Sequence, residues 1–367
     1  PGNTMVGTHI NRNITWAEQA APVMKYFARV SYMLQQGSPV ADLAYLLPEG
    51  APSTMPFWGA GLKPAPPAGY DYDYLNTDIL LHHTSVTADG RVHVDGSQEM
   101  PEGMSYRVLV LPPTSKMTPE VSRKLHELVA AGATIVGPRP SSSPSLVDYP
   151  EADAEVRALA TDLWGDTDGV TDPQHAFGKG MVYSGLSLEE VLHRLQCPPD
   201  FASNRGLEDP PAWIHRHTPD AEIYFVVNQD DAPQHIEARF RAMGKEVEVW
   251  RPMTGEITSF AAESRASTAA LDDRSGNRQP GIEPAAYANE SGFTTVPLDL
   301  AERESVFVVI RNEPTQGVQR AVAATSTTLA ALNGPWTVTF PPHWGAPASV
   351  AMPQLVSWTA SADPGMK

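Results

Sequence analysis

One stretch of the chain, residues 106–137, limits the fold more than any other. It opens with a short apolar run (YRVLVLP), continues through an amphipathic segment and ends with a second apolar run after Gly132. Thr118 is placed to cap the amphipathic segment and Pro119 occupies its first helical position. A strand–helix–strand pattern at this spacing predicts a βαβ unit, in which the helix connects two parallel strands of one sheet. Such connections are almost always right-handed.

This unit is expected to belong to an α/β domain that covers residues 37–196. The apolar run at residues 40–47 predicts another buried strand, and Asp89-Gly90 predicts a hairpin turn. The remaining elements expected in this domain are a helix ending near Leu81, helices at 153–164 and 187–196, and a strand near 180–183.

Beyond Cys197 apolar and polar residues alternate, which is typical of half-buried strands. These runs predict an antiparallel β-sandwich in residues 197–314, with strands at residues 221–228, 234–241, 246–250, 294–298 and 305–310. Pro252-Met253-Thr254-Gly255 predicts a turn. The polar stretch between Ala261 and Ser291 is interpreted as a mobile insertion.

The two ends of the chain carry their own patterns. Residues 15–36 have apolar residues close to a 3.6 period and predict a helix capped by Thr15, with Glu18 completing a capping box. The string GPWTVTF at residues 334–340 predicts the start of another β domain, after a linker at residues 312–331. A chain that begins at Pro1 and stops inside such a domain is expected to be a piece of a larger protein.

Charge and cysteine content narrow the classes of function. The chain has 43 acidic and 26 basic residues and a net charge of −17, so it repels nucleic acid and anionic membranes but is compatible with a neutral ligand such as a sugar. Its single cysteine, Cys197, excludes an intrachain disulfide and a cysteine-based zinc site. No stretch is long and apolar enough to span a bilayer.

The α/β domain lacks the groups that would make it an enzyme by itself. Residues 37–196 contain no cysteine that could act as a nucleophile, as amidotransferases require, and no Gly-x-Ser-x-Gly elbow. The loop Pro112-Pro113-Thr114-Ser115 offers no glycine-rich phosphate cradle. We therefore interpret the domain as an accessory one that serves in docking, lid formation or oligomer contact.

A polar segment near the start of the chain is the first candidate binding site. His9, Asn11 and Arg12 come just before the helix at residues 15–36, where a barrel enzyme would place its active site. Asn and Arg could hydrogen-bond sugar hydroxyls, and His9 could bind substrate or a metal. The alternative is a capping loop, which the residues alone favour.

The second candidate is the run Tyr70, Asp71, Tyr72 and Asp73, in which aromatic rings alternate with carboxylates. Rings stack on sugars and carboxylates accept hydrogen bonds from hydroxyls, while paired Asp residues could also help to bind calcium. An acidic helix N-terminus explains the same residues equally well. The string at residues 213–217 (WIHRH) could face a neighbouring site, although an edge strand is the favoured interpretation.

Long strings spread in order over nearly the whole chain resemble one family of enzymes. They include GTHINRNITW, GYDYDYLNTDILL and GMSYRVLVLPPTSKMTPE in the first half, and WIHRHTPDAEIYFVVNQ and VEVWRPMTGEI in the second. The string GPWTVTFPPHWGAP resembles the start of a sugar-binding jelly roll. Together these strings resemble the α-L-rhamnosidases of glycoside hydrolase family 106.

The resemblance implies a glycosidase that removes terminal α-L-rhamnosyl residues with inversion. Such an enzyme uses two glutamates and a bound calcium ion in a (β/α)8 barrel. The implied division is residues 1–36 as the last strand and helix of the barrel, 37–196 as a flavodoxin- or amidotransferase-like α/β domain, 197–314 as the sandwich, and 315–367 as a linker and the start of a jelly roll.

The resemblance also changes the interpretation of the candidate residues. It implies that His9, Asn11 and Arg12 lie at the rim of the sugar pocket and that Tyr70 to Asp73 form a loop closing over it. Both catalytic glutamates are expected upstream of Pro1, so no catalytic residue is assigned and the isolated chain is expected to be inactive. The expected ligand is a rhamnose-containing glycan or glycoside, and the compartment is left open between periplasm and secretion. The competing hypothesis is a non-catalytic carbohydrate-binding or scaffold module.

Overall fold

The computed structural model describes residues 15–50, 61–97, 101–205, 211–262, 286–290, 292–313, 333–343, 345–357 and 361–366. The chain divides into two compact units, Pro1–Val322 and Ala323–Lys367. Within the described residues no helix has both the length and the apolar character needed to cross a membrane.

The first long helix starts later than the sequence predicts. A single 3-10 turn at Glu18–Ala20 leads into α1 (Ala21–Leu34), and neither element has a side-chain cap. The expected capping box of Thr15 and Glu18 is therefore wrong. Pro22 accounts for the later start, because proline lacks an N–H and is well suited to the first turn of a helix.

Between α1 and the sandwich the chain forms an α/β domain. Its strands are β1 (Ser38–Pro39), β2 (Leu43–Leu46), β3 (Tyr72–Leu75), β4 (Thr84–Val86), β5 (Val92–Val94), β6 (Met104–Tyr106), β7 (Val108–Val110), β8 (Thr134–Val136), β9 (Gln174–Phe177) and β10 (Gly180–Tyr183). Its helices are α2 (Thr77–His82), α3 (Pro119–Ala131), α4 (Glu151–Trp164) and α5 (Leu188–Arg194).

Six of these strands form one sheet in the order β3-β2-β7-β8-β10-β9, and only the β9–β10 pair is antiparallel. The predicted βαβ unit is confirmed, because β7 and β8 pair in parallel on either side of α3 and Thr118 caps α3 by accepting from the Val121 N–H. Strands β4, β5 and β6 form a separate antiparallel sheet, with the predicted turn at Asp89-Gly90.

Helices cover both faces of the six-stranded sheet. Leu109 and Ile135 pack with α3 and α4, whereas Val108 and Val110 point to the other face and pack with α5. Successive side chains of a strand point to opposite faces, so a strand covered on both sides must be apolar throughout. This burial explains the continuous apolar runs in the sequence.

The segment Tyr70 to Asp73 is not a helix N-terminus, and only Tyr70 and Asp71 lie outside regular structure. Tyr72 and Asp73 begin β3, an edge strand of the sheet. The rings of Tyr72 and Tyr74 lie 5.5 and 6.4 Å from that of Tyr45 on the neighbouring strand. Aromatic residues in alternation suit a half-buried strand, and the helix begins only after Asn76, whose side chain accepts from the Ile79 N–H.

The rest of the first unit is a β-sandwich. Its strands are β11 (Phe201–Ser203), β12 (Ala212–His217), β13 (Ala221–Val227), β14 (Gln234–Phe240), β15 (Glu246–Arg251), β16 (Glu256–Ala262), β17 (Ala286–Glu290), β18 (Phe293–Leu300) and β19 (Ser305–Arg311). With β1 they form one ten-stranded sheet in the order β1-β12-β13-β19-β15-β16-β17-β18-β14-β11. Its two halves enclose one apolar core, to which β13 and β19 contribute from one side and β14 and β18 from the other.

The predicted sandwich strands are confirmed, and the structure adds others. β17 lies within the stretch that was interpreted as an insertion, and it pairs with β16 and β18. Residues 263–285 of that stretch lie outside the described residues. The string at residues 213–217 falls in β12, which lies between β1 and β13 and is therefore not an edge strand.

Helix α1 packs on the outer face of the sandwich. Val30, Met33 and Leu34 contact a second apolar cluster that includes Ile223 of β13 and Phe307 and Val309 of β19. Strand β19 is thus covered on both faces, and residues 305–310 are all buried. The exposed face of α1 is also apolar: Val23, Met24, Phe27 and Tyr32 are 46%, 41%, 54% and 65% exposed.

The second unit contains the predicted strand after Gly334. β20 (Trp336–Thr339) pairs antiparallel with β21 (Ser349–Met352). The linker predicted at residues 312–331 falls almost wholly outside the described residues, and the jelly roll itself stays a prediction.

Candidate functional site

Charged side chains from distant parts of the chain meet where the α/β domain joins the sandwich. Asp42 precedes β2, Asp200 follows α5, His215 lies on β12 and Arg241 follows β14. Asp42, Asp200 and His215 are between 2% and 5% exposed. Buried charges are stable only when they are paired, so these groups must satisfy one another.

Arg241 is the centre of this arrangement. Its Nη2 donates to Asp42 at 2.7 Å, its Nη1 donates to the Pro198 carbonyl at 2.7 Å, and its Nε lies 3.6 Å from Asp200. Burial lowers the pKa of Arg241, but the charges of Asp42 and Asp200 raise it by more, so the net shift is upward. One guanidinium therefore connects an α/β-domain carboxylate to a sandwich carboxylate.

His215 lies between two further carboxylates. Its Nδ1 is 2.8 Å from Asp200 and its Nε2 is 2.9 Å from Glu222. Burial lowers the pKa of His215, but the hydrogen bonds and charges of Asp200 and Glu222 outweigh it, and the pKa is raised overall. Both ring nitrogens can donate only in the imidazolium form, which is the form that this geometry favours.

Tyr224 packs against one face of the His215 imidazole. Its ring stacks on that of His215 with centroids 3.8 Å apart and planes at 15°, and its hydroxyl donates to Asp200 at 2.8 Å. His217, two residues further along β12, bonds the second oxygen of Glu222 at 2.8 Å. The His215 imidazole is therefore held by Asp200 and Glu222 at its two ring nitrogens and by the Tyr224 ring on one face.

The single cysteine also lies in this network but is not suited to nucleophilic chemistry. The Sγ of Cys197 lies 3.1 Å from Arg241 Nη1 and 3.6 Å from Asp42. Burial, followed by the negative charge of Asp42, raises the pKa of Cys197 to about 11. The thiol stays protonated at neutral pH, and a thiolate is the reactive form.

The group that lies between Asp200 and Glu222 determines whether these two carboxylates could act together in glycoside hydrolysis. An inverting glycosidase needs its two carboxyl groups roughly 6.5–9.5 Å apart, with substrate and water between them. Here the imidazole of His215 fills the space between Asp200 and Glu222, and Asp200 is almost fully buried. The network is therefore a structural connection beside an open cavity of about 530 Å³, and it is not a pair of hydrolytic groups.

Comparison with known proteins bears on the whole chain. The family model of glycoside hydrolase family 106, described as alpha-L-rhamnosidase, matches residues 1–263. The chain belongs to glycoside hydrolase family 106. The structure of a rhamnosidase from Novosphingobium sp. PP1Y is similar at a TM-score of 0.72 and 33% identity, over 98% of this chain and 31% of that one.

A curated relative carries a different name. A protein from Formosa agariphila named putative beta-glucuronidase is 32% identical over 308 residues, which is 83% of this chain and 22% of that protein. The family 106 chain therefore spans less than a third of the length of either relative.

Only some of the predicted site residues lie where the α/β domain joins the sandwich. His9, Asn11 and Arg12 lie outside the described residues. The Tyr70 hydroxyl donates to the Cys197 carbonyl at 2.7 Å, so Tyr70 joins the α/β domain to the segment that leads into the sandwich. Asp73 instead accepts from the Tyr106 hydroxyl at 3.2 Å within the α/β domain.

Asp71 and Asp73 bond to different groups. Asp71 accepts from the Tyr72 N–H and Asp73 from Tyr106, so the two acids serve different partners. Across the described ranges no group of three or more His, Cys, Asp or Glu side chains could hold a metal ion.

Of the residues of the buried network, only His215 lies in a string that the sequence singled out, residues 213–217, and there an edge strand was the favoured interpretation. Asp42 and Arg241 are 199 residues apart, and neither belongs to a recognisable motif. One signal was present, since His215 and His217 alternate on a strand and must therefore share a face. Glu222 lies opposite His217 on the paired strand β13, which places it against both imidazoles.

Asp71 gives a testable consequence of burial at this junction. Burial raises the pKa of Asp71 to about 6, with Asp73 and Asp200 adding to the shift and the Tyr72 N–H opposing it. A raised folded-state pKa means that ionised Asp71 destabilises the fold, fully so above pH 6 and not at all below its unfolded value of 3.8. Asp71→Asn should therefore raise the free energy of unfolding by about 2 kcal/mol at pH 8.

Urea denaturation at pH 8 and pH 5 tests this expectation. The gain from Asp71→Asn should shrink at pH 5, where wild-type Asp71 is mostly protonated. Asp162→Asn, at a 61% exposed carboxylate on α4, is the matched control and should change stability little at either pH. An equal gain at both pH values would contradict the assignment.

Proposed function

We propose that this chain is part of a glycoside hydrolase that removes terminal α-L-rhamnosyl residues with inversion. In this proposal the two catalytic glutamates lie in the longer protein, outside this chain, and the chain alone does not turn over substrate. The observation that carries the proposal is the match of residues 1–263 to the rhamnosidase family. The similarity to the Novosphingobium rhamnosidase over nearly the full chain supports it further.

The apolar outer face of α1 supports the proposed (β/α)8 barrel. A helix that is apolar on opposite faces is normally buried on both. α1 packs one face on β13 and β19 but exposes Phe27, Val23 and Met24 on the other. In the proposal, residues 1–36 form the last strand and helix of the barrel, and the remaining barrel helices and strands cover this exposed face.

The remaining parts of the proposal concern the candidate sugar contacts. His9, Asn11 and Arg12 are proposed as rim residues of the rhamnose pocket, and the calcium ion is proposed for the longer protein. Residues 315–367 are proposed as a linker and the start of a jelly roll. The proposed closing loop at Tyr70 to Asp73 is narrowed to Tyr70 and Asp71, because Tyr72 and Asp73 belong to β3.

Hydrolysis of an aryl α-L-rhamnoside tests the division of labour. The 367-residue chain is expected to give no release of the aryl group above the buffer rate, whereas the longer protein is expected to release it with inversion at C1. Inversion is read by proton NMR of the first sugar formed. An aryl β-glucuronide is assayed in parallel, because one relative is named for that activity.

The parallel assays separate the outcomes. Turnover of the rhamnoside by the isolated chain would contradict the proposed location of the catalytic groups. Turnover of the glucuronide alone by the longer protein would replace the proposed substrate. Turnover of neither by the longer protein would favour the non-catalytic carbohydrate-binding or scaffold module.

A further inference from the structure

Two adjoining cavities lie along one edge of the six-stranded sheet. The smaller has a volume of about 330 Å³ and the larger about 530 Å³, and Arg91 and Arg107 line both. Arg107 precedes β7, Thr134 begins β8 and Gly180 begins β10, so the smaller cavity follows the amino ends of these parallel strands. Sites of open α/β sheets normally lie at the opposite, carboxyl edge.

The smaller cavity is rich in positive charge. Arg91, Arg107 and Lys179 line it, and Asp89 is the only carboxylate among its described lining residues. Asp89 is already engaged, because Arg91 Nε donates to it at 2.9 Å and Thr87 Oγ1 at 2.6 Å. Three cations around one space are an unusual concentration in a chain whose net charge is −17.

Two of these cations have unused hydrogen-bonding capacity. Arg107 Nε is buried and lies 3.4 Å from Asp42 Oδ1, yet it makes no hydrogen bond to any described residue. The side chain of Lys179 forms no hydrogen bond or ion pair within the described part of the chain, where only its backbone N–H is bonded. The Arg107 side chain is nevertheless 34% exposed, so its terminal N–H groups, together with the exposed Lys179 ammonium, can donate to an anion in the smaller cavity.

The backbone holds Arg91 at the shared boundary of the cavities. Gly90, at φ +84°, lies so close to Gly132 that a Cβ on Gly90 would be 2.9 Å from the Gly132 carbonyl oxygen. The β4–β5 hairpin therefore approaches the sheet edge closely, and this contact presents Arg91 to both spaces.

The larger cavity has a mixed lining. Glu102 and Glu222 supply acceptors, while Arg91 and His217 supply donors, and Met104 adds an apolar surface. Hydroxyl groups both donate and accept hydrogen bonds, and sugar rings also present apolar C–H faces. A polyhydroxylated ring fits this lining better than an apolar ligand or a bare ion does.

We propose that the paired cavities bind an acidic sugar. The oxyanion of the sugar lies in the smaller cavity against Arg91, Arg107 and Lys179, and its hydroxyls lie in the larger cavity. Cationic side chains bind carboxylate and sulfate groups through charge-assisted hydrogen bonds, which are stronger than neutral ones. This binding does not depend on hydrolysis, so it goes beyond the proposed rhamnosidase function.

Isothermal titration of the full 367-residue chain with four probes tests the proposal. Sodium glucuronate is expected to bind with a Kd on the order of 1 mM, and at least about fivefold more tightly than sodium acetate or sodium sulfate. Glucose, which has the same ring without the carboxylate, should bind at least about tenfold more weakly. Raising the salt concentration should weaken glucuronate binding because the contact is ionic.

Single substitutions then locate the site. Lys179→Met and Arg91→Gln should each weaken glucuronate binding about tenfold, since each removes a charged hydrogen-bond donor. Lys116→Met is the matched control, because Lys116 is exposed and lines neither cavity, and it should leave binding unchanged. Circular dichroism establishes that each variant is folded before titration.

The outcomes discriminate between the parts of the proposal. Absence of saturable binding by any anionic probe overturns it, as does glucuronate binding that survives both Lys179→Met and Arg91→Gln. Equal affinity for sulfate, acetate and glucuronate identifies a free-anion site and overturns the assignment of the larger cavity to sugar hydroxyls. Saturable glucuronate binding that is stronger than acetate, sulfate and glucose binding supports the inference whether or not the longer protein cleaves a rhamnoside.

Discussion

Replacing Arg241 with methionine is expected to lower the free energy of unfolding by about 3–5 kcal/mol. The methionine keeps most of the apolar stem but leaves Asp42 and Asp200 buried without their shared guanidinium, which bonds Asp42 at 2.7 Å and lies 3.6 Å from Asp200. Removing one partner of a buried ion pair leaves an uncompensated charge, and this penalty exceeds the net value of the pair itself. Urea denaturation at pH 7 gives the measurement.

The location of Arg241 adds a second expectation for the same variant. Asp42 belongs to the α/β domain, whereas Arg241 follows β14 of the sandwich. Loss of the guanidinium should therefore weaken the coupling between the two domains, and denaturation followed by fluorescence and by circular dichroism should no longer coincide.

Two further variants serve as controls for Arg241→Met, one at an exposed ion pair and one at the buried partner Asp42. Arg303→Met removes an arginine that pairs with Asp231, whose side chain is 86% exposed, and should lower the free energy of unfolding far less than Arg241→Met does. Adding Asp42→Asn to Arg241→Met should recover part of the lost stability, because it removes one of the stranded charges. A loss below about 1 kcal/mol for Arg241→Met would show that Asp42 and Asp200 do not depend on it.

Replacing His215 with glutamine is expected to have the second large effect, and one that depends on pH. The pKa of His215 is raised in the folded protein because Asp200 and Glu222 outweigh the effect of burial. A group with a raised folded-state pKa stabilises the fold fully below its unfolded value, near 6.5, and loses that contribution as the pH rises through the folded value. His215→Gln should therefore cost about 2–3 kcal/mol at pH 6 and less at pH 9.

Denaturation profiles of wild type and His215→Gln between pH 6 and pH 9 test this sign. The two profiles should converge as the pH rises, because the wild-type imidazolium loses its proton. His193→Gln is the matched control, since His193 is exposed on α5, and its profile should parallel that of the wild type. A difference that grows with pH would mean that His215 is neutral in the folded protein.

The parts of the fold predicted correctly are those with strong local signals. The stretch at residues 106–137 has a cap at Thr118, a proline at the first helical position and apolar runs on either side, so local and tertiary preferences agree. The sandwich strands were also predicted correctly, from the alternation of apolar and polar residues. β19 differs, because α1 covers its outer face and makes it apolar on both sides.

The errors have physical causes as well. The predicted helix cap at Thr15 is wrong because Pro22, in the first turn of α1, makes this helix begin later in the chain. No strand was predicted at residues 72–75, because the alternation of Tyr and Asp was interpreted as sugar contact or an acidic helix N-terminus, although alternating aromatics also suit an edge strand. The junction network could not be predicted, since Asp42, Asp200, His215 and Arg241 meet only when two domains pack together.

The packing of α1 on β19 has a consequence for synthesis of the protein on the ribosome. α1 ends at Leu34, whereas β19 begins at Ser305, so the whole α/β domain and most of the sandwich emerge between the two. During this interval α1 has no sandwich face to cover, while the α/β domain has already been made in full and can fold as a unit. The face of α1 that packs on the sandwich thus has no partner until β19 has been made.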